Sequence, residues 1–272
     1  MNLKILTAEN ITQFAPNILR EVTGESPFSE KLAPFLASAK AWLEAEYLGP
    51  DDFLSPEENE VAVRVVVTKA YADALPSLDI VVTPTGIGVV NTDTIAPASK
   101  ERVERLVKSL RDILHDNLTL LVDLCHKYPA WRESEPGRFF CATFLSSLLD
   151  LRAMPKGVTF EDMRLKALIV EEKMADHFLG HNLMTSMRDA ENARREAGSP
   201  QEALCRSLCK KAVAALVAAP GPVPHYSAIW EECSHVINAV DDCPEYLEIW
   251  TAEMRGVLTK PFDNNIKGSY YF

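Results

Sequence analysis

The chain has 272 residues, 47% of them apolar and 25% charged, with a net charge of -11 and a pI near 5.1. That length provides one large domain or two small ones with an ample core, and the near-average composition means disorder is not the default in the middle of the chain. The negative charge argues against a protein whose main task is gripping phosphate backbones through bulk electrostatics.

A first amphipathic helix is expected from Ala8 to Leu19, with Ile11, Phe14, Ile18 and Leu19 on one face. Ser26 followed by Pro27 is a helix start, and Phe28, Leu32, Phe35, Leu36, Ala39, Leu43 and Tyr47 continue one apolar face to Gly49, with Pro34 as a bend. Ser55-Pro56-Glu57-Glu58 is a sharper start, because the serine caps the helix while the glutamate three residues on returns a bond to the cap's own N–H. The helix it opens is expected to reach Leu75. Its valines suit a strand equally well, and the cap and the length decide for helix.

Ile80, Val81 and Val82, a turn at Pro84-Thr85-Gly86-Ile87-Gly88, and the pair Val89 and Val90 predict a β-hairpin within residues 79–91. Ser99 then opens the longest helix, whose apolar stripe runs from Val103 through Leu106, Val107, Leu110, Ile113, Leu114, Leu118, Leu121 and Val122 to Cys125. Residues 129–138 contain Pro129, Pro136 and Gly137 and are expected to be a linker.

Beyond it the pattern predicts a helix from Phe139 to Arg152, a turn at Met154 to Gly157, and a Thr159/Asp162 capping box ahead of Met163, Ile169, Met174 and Phe178. Further helices are expected at Leu183 to Glu196, Ser199 to Ala218, Tyr226 to Asn238 and Pro244 to Leu258, followed by an aromatic-ended tail. The fold class is therefore mainly α: helical-bundle modules at residues 1–128 and 139–272, with one protruding β-hairpin in the first.

An ungapped repeat relates Glu30–Gly49 to Glu161–Gly180, pairing Leu32 with Met163, Leu43 with Met174, Tyr47 with Phe178, and Leu48-Gly49 with Leu179-Gly180. Lys69-Ala70-Tyr71-Ala72 is echoed by Lys211-Ala212-Val213-Ala214. Two apolar-striped helices also align in part by chance, so duplication and coincidence both remain open.

Catalytic patterns are missing. The Pro84–Gly88 turn has neither the Gly-Lys-Ser/Thr ending of a P-loop nor a third glycine. Cys205 and Cys209 with His225 or His235 are spaced unlike a structural zinc site, and His177 with His181 lacks the glutamate of a HExxH helix. The six cysteines include no CxxC pair and read as small buried hydrophobes of a reduced compartment. No Gly-x-Ser-x-Gly elbow exists, and Glu57-Glu58 and Glu231-Glu232 read as solvated helix faces. No catalytic residue, cofactor or metal is assigned. No signal peptide and no long apolar run are evident, so a soluble, cytoplasmic protein without membrane partners is expected.

The stretch Val82 to Val90, followed by Ala96-Pro97-Ala98-Ser99-Lys100-Glu101-Arg102-Val103-Glu104-Arg105-Leu106, resembles an uncharacterised family of phage and prophage proteins from gut Bacteroidales. The ending Gly268-Ser269-Tyr270-Tyr271-Phe272 resembles that family's aromatic terminus. The helix order and the segment Ala39 to Gly49 are similar to the small helical head-tail connectors of tailed phages. These resemblances imply a non-enzymatic virion subunit that forms a homo-oligomer, such as a ring, and binds other phage head or tail proteins, with DNA only as passing cargo. They place it in the cytoplasm during assembly and then in the virion. The assembly contacts expected are Thr83, Pro84, Thr85, Gly86, Ile87 and Gly88 of the hairpin, Arg102 and Arg105 of the long helix, and Tyr270, Tyr271 and Phe272 of the tail. A small-molecule- or nucleotide-binding enzyme of helical fold is the alternative.

Overall fold

The computed structural model describes residues 28–50, 53–77, 80–83, 86–89, 99–221 and 224–258. The expected helix at Ala8–Leu19 and the aromatic tail lie outside them. The fold is mainly α, and the chain divides into two compact units between Phe140 and Cys141.

In the first unit, helix α1 (Phe28–Leu43) buries Leu32, Leu36, Ala39 and Leu43 at three- and four-residue steps, with Pro34 inside the helix on its exposed side. It passes into a π turn, Glu44–Leu48, and stops at Gly49, whose φ of 79° and ψ of -176° fall in a region that only glycine enters cheaply. Helix α2 (Pro56–Ala74) starts on the expected capping box: the Ser55 hydroxyl accepts the Glu58 N–H at 3.4 Å and the Glu58 carboxylate accepts the Ser55 N–H at 3.0 Å. It packs against both α1 and α3 (Lys100–Cys125), which explains valines buried almost all round it.

Between α2 and α3, strands β1 (Ile80–Thr83) and β2 (Gly86–Val89) pair antiparallel, with Ile80 opposite Val89 and Thr83 opposite Gly86. Pairing up to Gly86 puts Gly86, Ile87 and Gly88 in a strand, whereas the sequence pattern assigns them to the turn. A two-residue connection is enough to reverse an antiparallel pair.

Residues 129–138 are no linker. They form α4 (Pro129–Glu133) and most of α5 (Glu135–Phe140), because Pro129 takes the first helical position, where proline lacks only a bond that no residue there makes. Trp131 is fully buried, and Gly137 is required by close approach, since a Cβ there would stand 1.7 Å from the Trp131 carbonyl oxygen.

In the second unit, the expected Phe139–Arg152 helix ends at Phe140; residues 141–149 are irregular although mostly buried, and a short 3-10 turn covers Asp150–Ala153. Distant side chains satisfy that backbone in place of helical bonds: Glu171 accepts the Phe144 N–H at 2.7 Å, and the Asn192 amide donates to the carbonyls of Cys141 (2.8 Å) and Thr143 (3.1 Å).

Helix α6 (Phe160–Met174) begins at the Thr159/Asp162 capping box and buries Met163, Ala167, Val170 and Met174. Full burial of each larger side chain contributes about 1.5–3 kcal/mol. A second π turn, Ala175–Leu179, ends at Gly180, again with a φ of 79°. Helices α7 (His181–Asn192), α8 (Pro200–Ala218), α9 (Tyr226–Asp241) and α10 (Pro244–Leu258) complete the unit, α8 packing on α6 and α9, and α10 on α7 and α9.

Candidate functional site

The expected assembly contacts do not gather into one described cluster. Thr83, Gly86, Ile87 and Gly88 lie in the two strands, while Pro84, Thr85, Tyr270, Tyr271 and Phe272 lie outside the described residues. Arg102 and Arg105 are exposed on the first half of α3. Beside them, Pro76, Val103 and Val107 form the apolar part of a cleft of about 660 Å³ that Lys100, Glu104, Lys108 and Arg111 complete.

The buried charges hold the fold together. Burial raises the Glu58 carboxyl, but bonds from the Lys127 ammonium, the Tyr128 hydroxyl and Ser55 outweigh it and hold the group at about 2. In the second unit the Arg206 guanidinium donates to the Tyr246 hydroxyl (3.0 Å), the Arg195 carbonyl (2.7 Å) and the Glu202 carboxylate. Lys210 bridges Asp150 at 3.5 Å and Glu191 at 3.4 Å. Arg206, Lys210, Asp150 and Glu191 line a cavity of about 470 Å³ that also takes in Ser207 and Lys211, but Arg206 and Lys210 are already matched by anions.

Burial pushes the Glu171 carboxyl up to about 7, against the Phe144 N–H and the Arg188 guanidinium 3.6 Å away. Near-neutral carboxyls are common in catalytic sites. Its partners are instead the backbone of the 141–149 segment and a neighbouring cation, which is a structural task.

Burial pushes the Cys205 and Cys233 thiols up to about 12, and those of Cys125 and Cys209 are raised as well, so all four stay protonated at neutral pH. His177 packs its ring on Tyr226 at 5.5 Å, and His181 contacts Asp176 at 2.8 Å. Among the described residues no group of three or more His, Cys, Asp or Glu is placed to hold a metal, and no helix is long and apolar enough to cross a membrane.

What the sequence reading missed is an apolar surface. Leu165, Leu168 and Ile169 of α6 are 48%, 36% and 40% exposed, on the face opposite the core stripe. Ile169, expected on that stripe, stands six residues from Met163, which turns it away from the Met163–Ala167–Val170–Met174 line. On α9, Tyr226 and Trp230 are also exposed and lie against Phe178, with ring centroids 5.0 and 5.2 Å away.

Residues 19–140 match a family of unknown function, DUF6712. The match ends at Phe140, where the first structural unit also ends. No curated protein and no solved structure matches the chain.

Proposed function

We propose that the protein is a non-enzymatic structural subunit that acts by assembling with copies of itself. The observation that carries this reading is the outer face of α6, where Leu165, Leu168 and Ile169 are exposed and serve no core of their own unit. Monomeric proteins seldom leave large apolar side chains grouped in this way, whereas subunit contacts use them. The internal pairing of Glu58, Glu202, Arg206 and Lys210 and the raised thiols of Cys205 and Cys233 fit the same reading, because they give these groups structural partners.

In its more specific form the proposal is a phage or prophage head-tail connector or adaptor. The paired strands at Ile80–Val89, with Arg102 and Arg105, act as an arm toward a neighbour, and other head or tail proteins are the further partners. Mixed charge along Lys100–Arg111 sets register between copies.

Mass photometry across a hundredfold concentration range tests assembly, with Leu165→Glu/Ile169→Glu as the control variant. Concentration-dependent oligomers that the variant loses are expected, and a strictly monomeric wild type refutes the reading. A thermal-shift screen of nucleotides and divalent metals tests the enzyme alternative, and a saturable shift would favour it.

A further inference from the structure

Helix α1 with its π turn and helix α6 with its π turn correspond residue by residue. Aligned at Glu30 and Glu161, the core positions Leu32, Leu36, Ala39 and Leu43 fall on Met163, Ala167, Val170 and Met174, and all eight are buried. Both helices pass into a five-residue π turn at the same aligned position, and both turns stop at a glycine with a φ of 79°. Amphipathic similarity explains an apolar stripe but gives no reason for a rare π turn to recur in register.

The turns are also fastened alike. The Trp131 indole N–H donates to the carbonyl of Tyr47 at 2.7 Å, and the Trp250 indole N–H donates to the carbonyl of Phe178 at 2.9 Å. Tyr47 and Phe178 are aligned partners. Three residues beyond each tryptophan, a side chain abuts the terminal glycine: a Cβ on Gly49 would stand 3.1 Å from the Ser134 Cβ, and one on Gly180 2.7 Å from a Glu253 carboxylate oxygen.

A second fastening repeats in the next helix. Helices α2 and α8 each run 19 residues from a Ser-Pro start, with Glu58 and Glu202 at the third helical position. Each serine hydroxyl accepts that glutamate's N–H. Each carboxylate also accepts a tyrosine hydroxyl, from Tyr128 and Tyr246, and these tyrosines shortly precede Trp131 and Trp250 in the chain. Aligning the two caps leaves the Lys69–Ala72 and Lys211–Ala214 echo two residues out of register, so that likeness is not part of the correspondence.

The geometry points to a tandem duplication: residues 160–258 are a second, diverged copy of the module that the family match covers at residues 19–140. The copies differ by insertion and by surface. The first carries the β1–β2 ribbon and the long α3, while the second adds α7 between Gly180 and Ser199. The second also carries the apolar outer face of α6, whose aligned positions in α1 are the exposed Pro34, Ala37 and Ser38. If the assembly reading above holds, on which this last step rests, each chain brings two contact modules of different kind.

An experimental structure of the full chain tests the duplication. One rotation should superpose α1, its π turn and α2 on α6, its π turn and α8, and should carry Trp131 and Tyr128 onto Trp250 and Tyr246. The duplication is overturned if the two helix pairs need different rotations. In solution, Trp131→Phe should raise hydrogen exchange about fivefold in residues 44–49 and leave 175–180 unchanged, with the converse for Trp250→Phe. Two π turns that both ignore the loss of their indoles would sink the proposal. Both readouts are independent of whether the chain assembles.

Discussion

The two π-turn junctions share a design and differ in one side chain. At Gly49 the neighbour is the small Ser134, whose hydroxyl turns back to the Trp131 carbonyl at 2.7 Å. At Gly180 the neighbour is Glu253, whose carboxylate accepts the N–H groups of His181 at 2.8 Å and Asn182 at 2.9 Å. The glycine at the start of α7 has no side chain to cap that helix, so a residue distant in sequence supplies the acceptor. One substitution at an otherwise shared contact therefore lets the second unit begin a helix where the first has only a short connection.

Substitutions that act on one unit and spare the other sharpen this contrast. The largest effect is expected from Gly137→Ala, which drives a Cβ to 1.7 Å from the Trp131 carbonyl oxygen. A loss of ~4 kcal/mol or more follows, read by hydrogen exchange as opening of residues 28–140 with 160–258 still protected.

The two units should also answer pH in opposite directions. Glu171 is raised from 4.5 to about 7 on folding, so the stability present below pH 4.5 is lost as pH rises toward 7. That loss amounts to about 3 kcal/mol. Glu58 is lowered from 4.5 to about 2, so its contribution is present above pH 4.5 and is lost as pH falls toward 2. Denaturant melts between pH 3 and 8 should show Glu171→Gln removing the high-pH decline and Glu58→Gln removing the acid one. Unchanged pH profiles would contradict both assignments.

Of the two junction glycines, Gly180→Ala should cost more than Gly49→Ala. Both pay about 1–3 kcal/mol for backbone strain, and the first also displaces the carboxylate that caps α7. Chemical denaturation of the two variants side by side gives the difference. The smallest effect is expected for Glu253→Ala, a loss of ~1–2 kcal/mol with exchange rising first at His181 and Asn182.

Helix starts were legible in the sequence because a cap is a local device: Ser55 with Glu58 and Thr159 with Asp162 form the predicted boxes, and Pro200 opens its helix after Ser199. The π turns were not, since Gly49 and Gly180 announce an ending without revealing the wider turn before it. The 141–149 segment was misread for the opposite reason. Its apolar residues look helical, and only Glu171 and Asn192, far along the chain, show why it need not be. Pro129, Pro136 and Gly137 looked like a linker because composition does not distinguish a proline that opens a helix from one that breaks it. On the surface, the exposed face of α6 becomes legible only once the helical phase is fixed by its buried side.

The burial of Trp131 decides where this chain can be cut. A fragment ending at residue 128 keeps α1, α2 and α3 but discards the indole that the Tyr47 carbonyl accepts from, along with Phe140, whose ring lies 5.8 Å from that of Tyr47. A fragment ending at residue 140 keeps both. The segment that looks like the natural place for scissors is the clasp of the first unit.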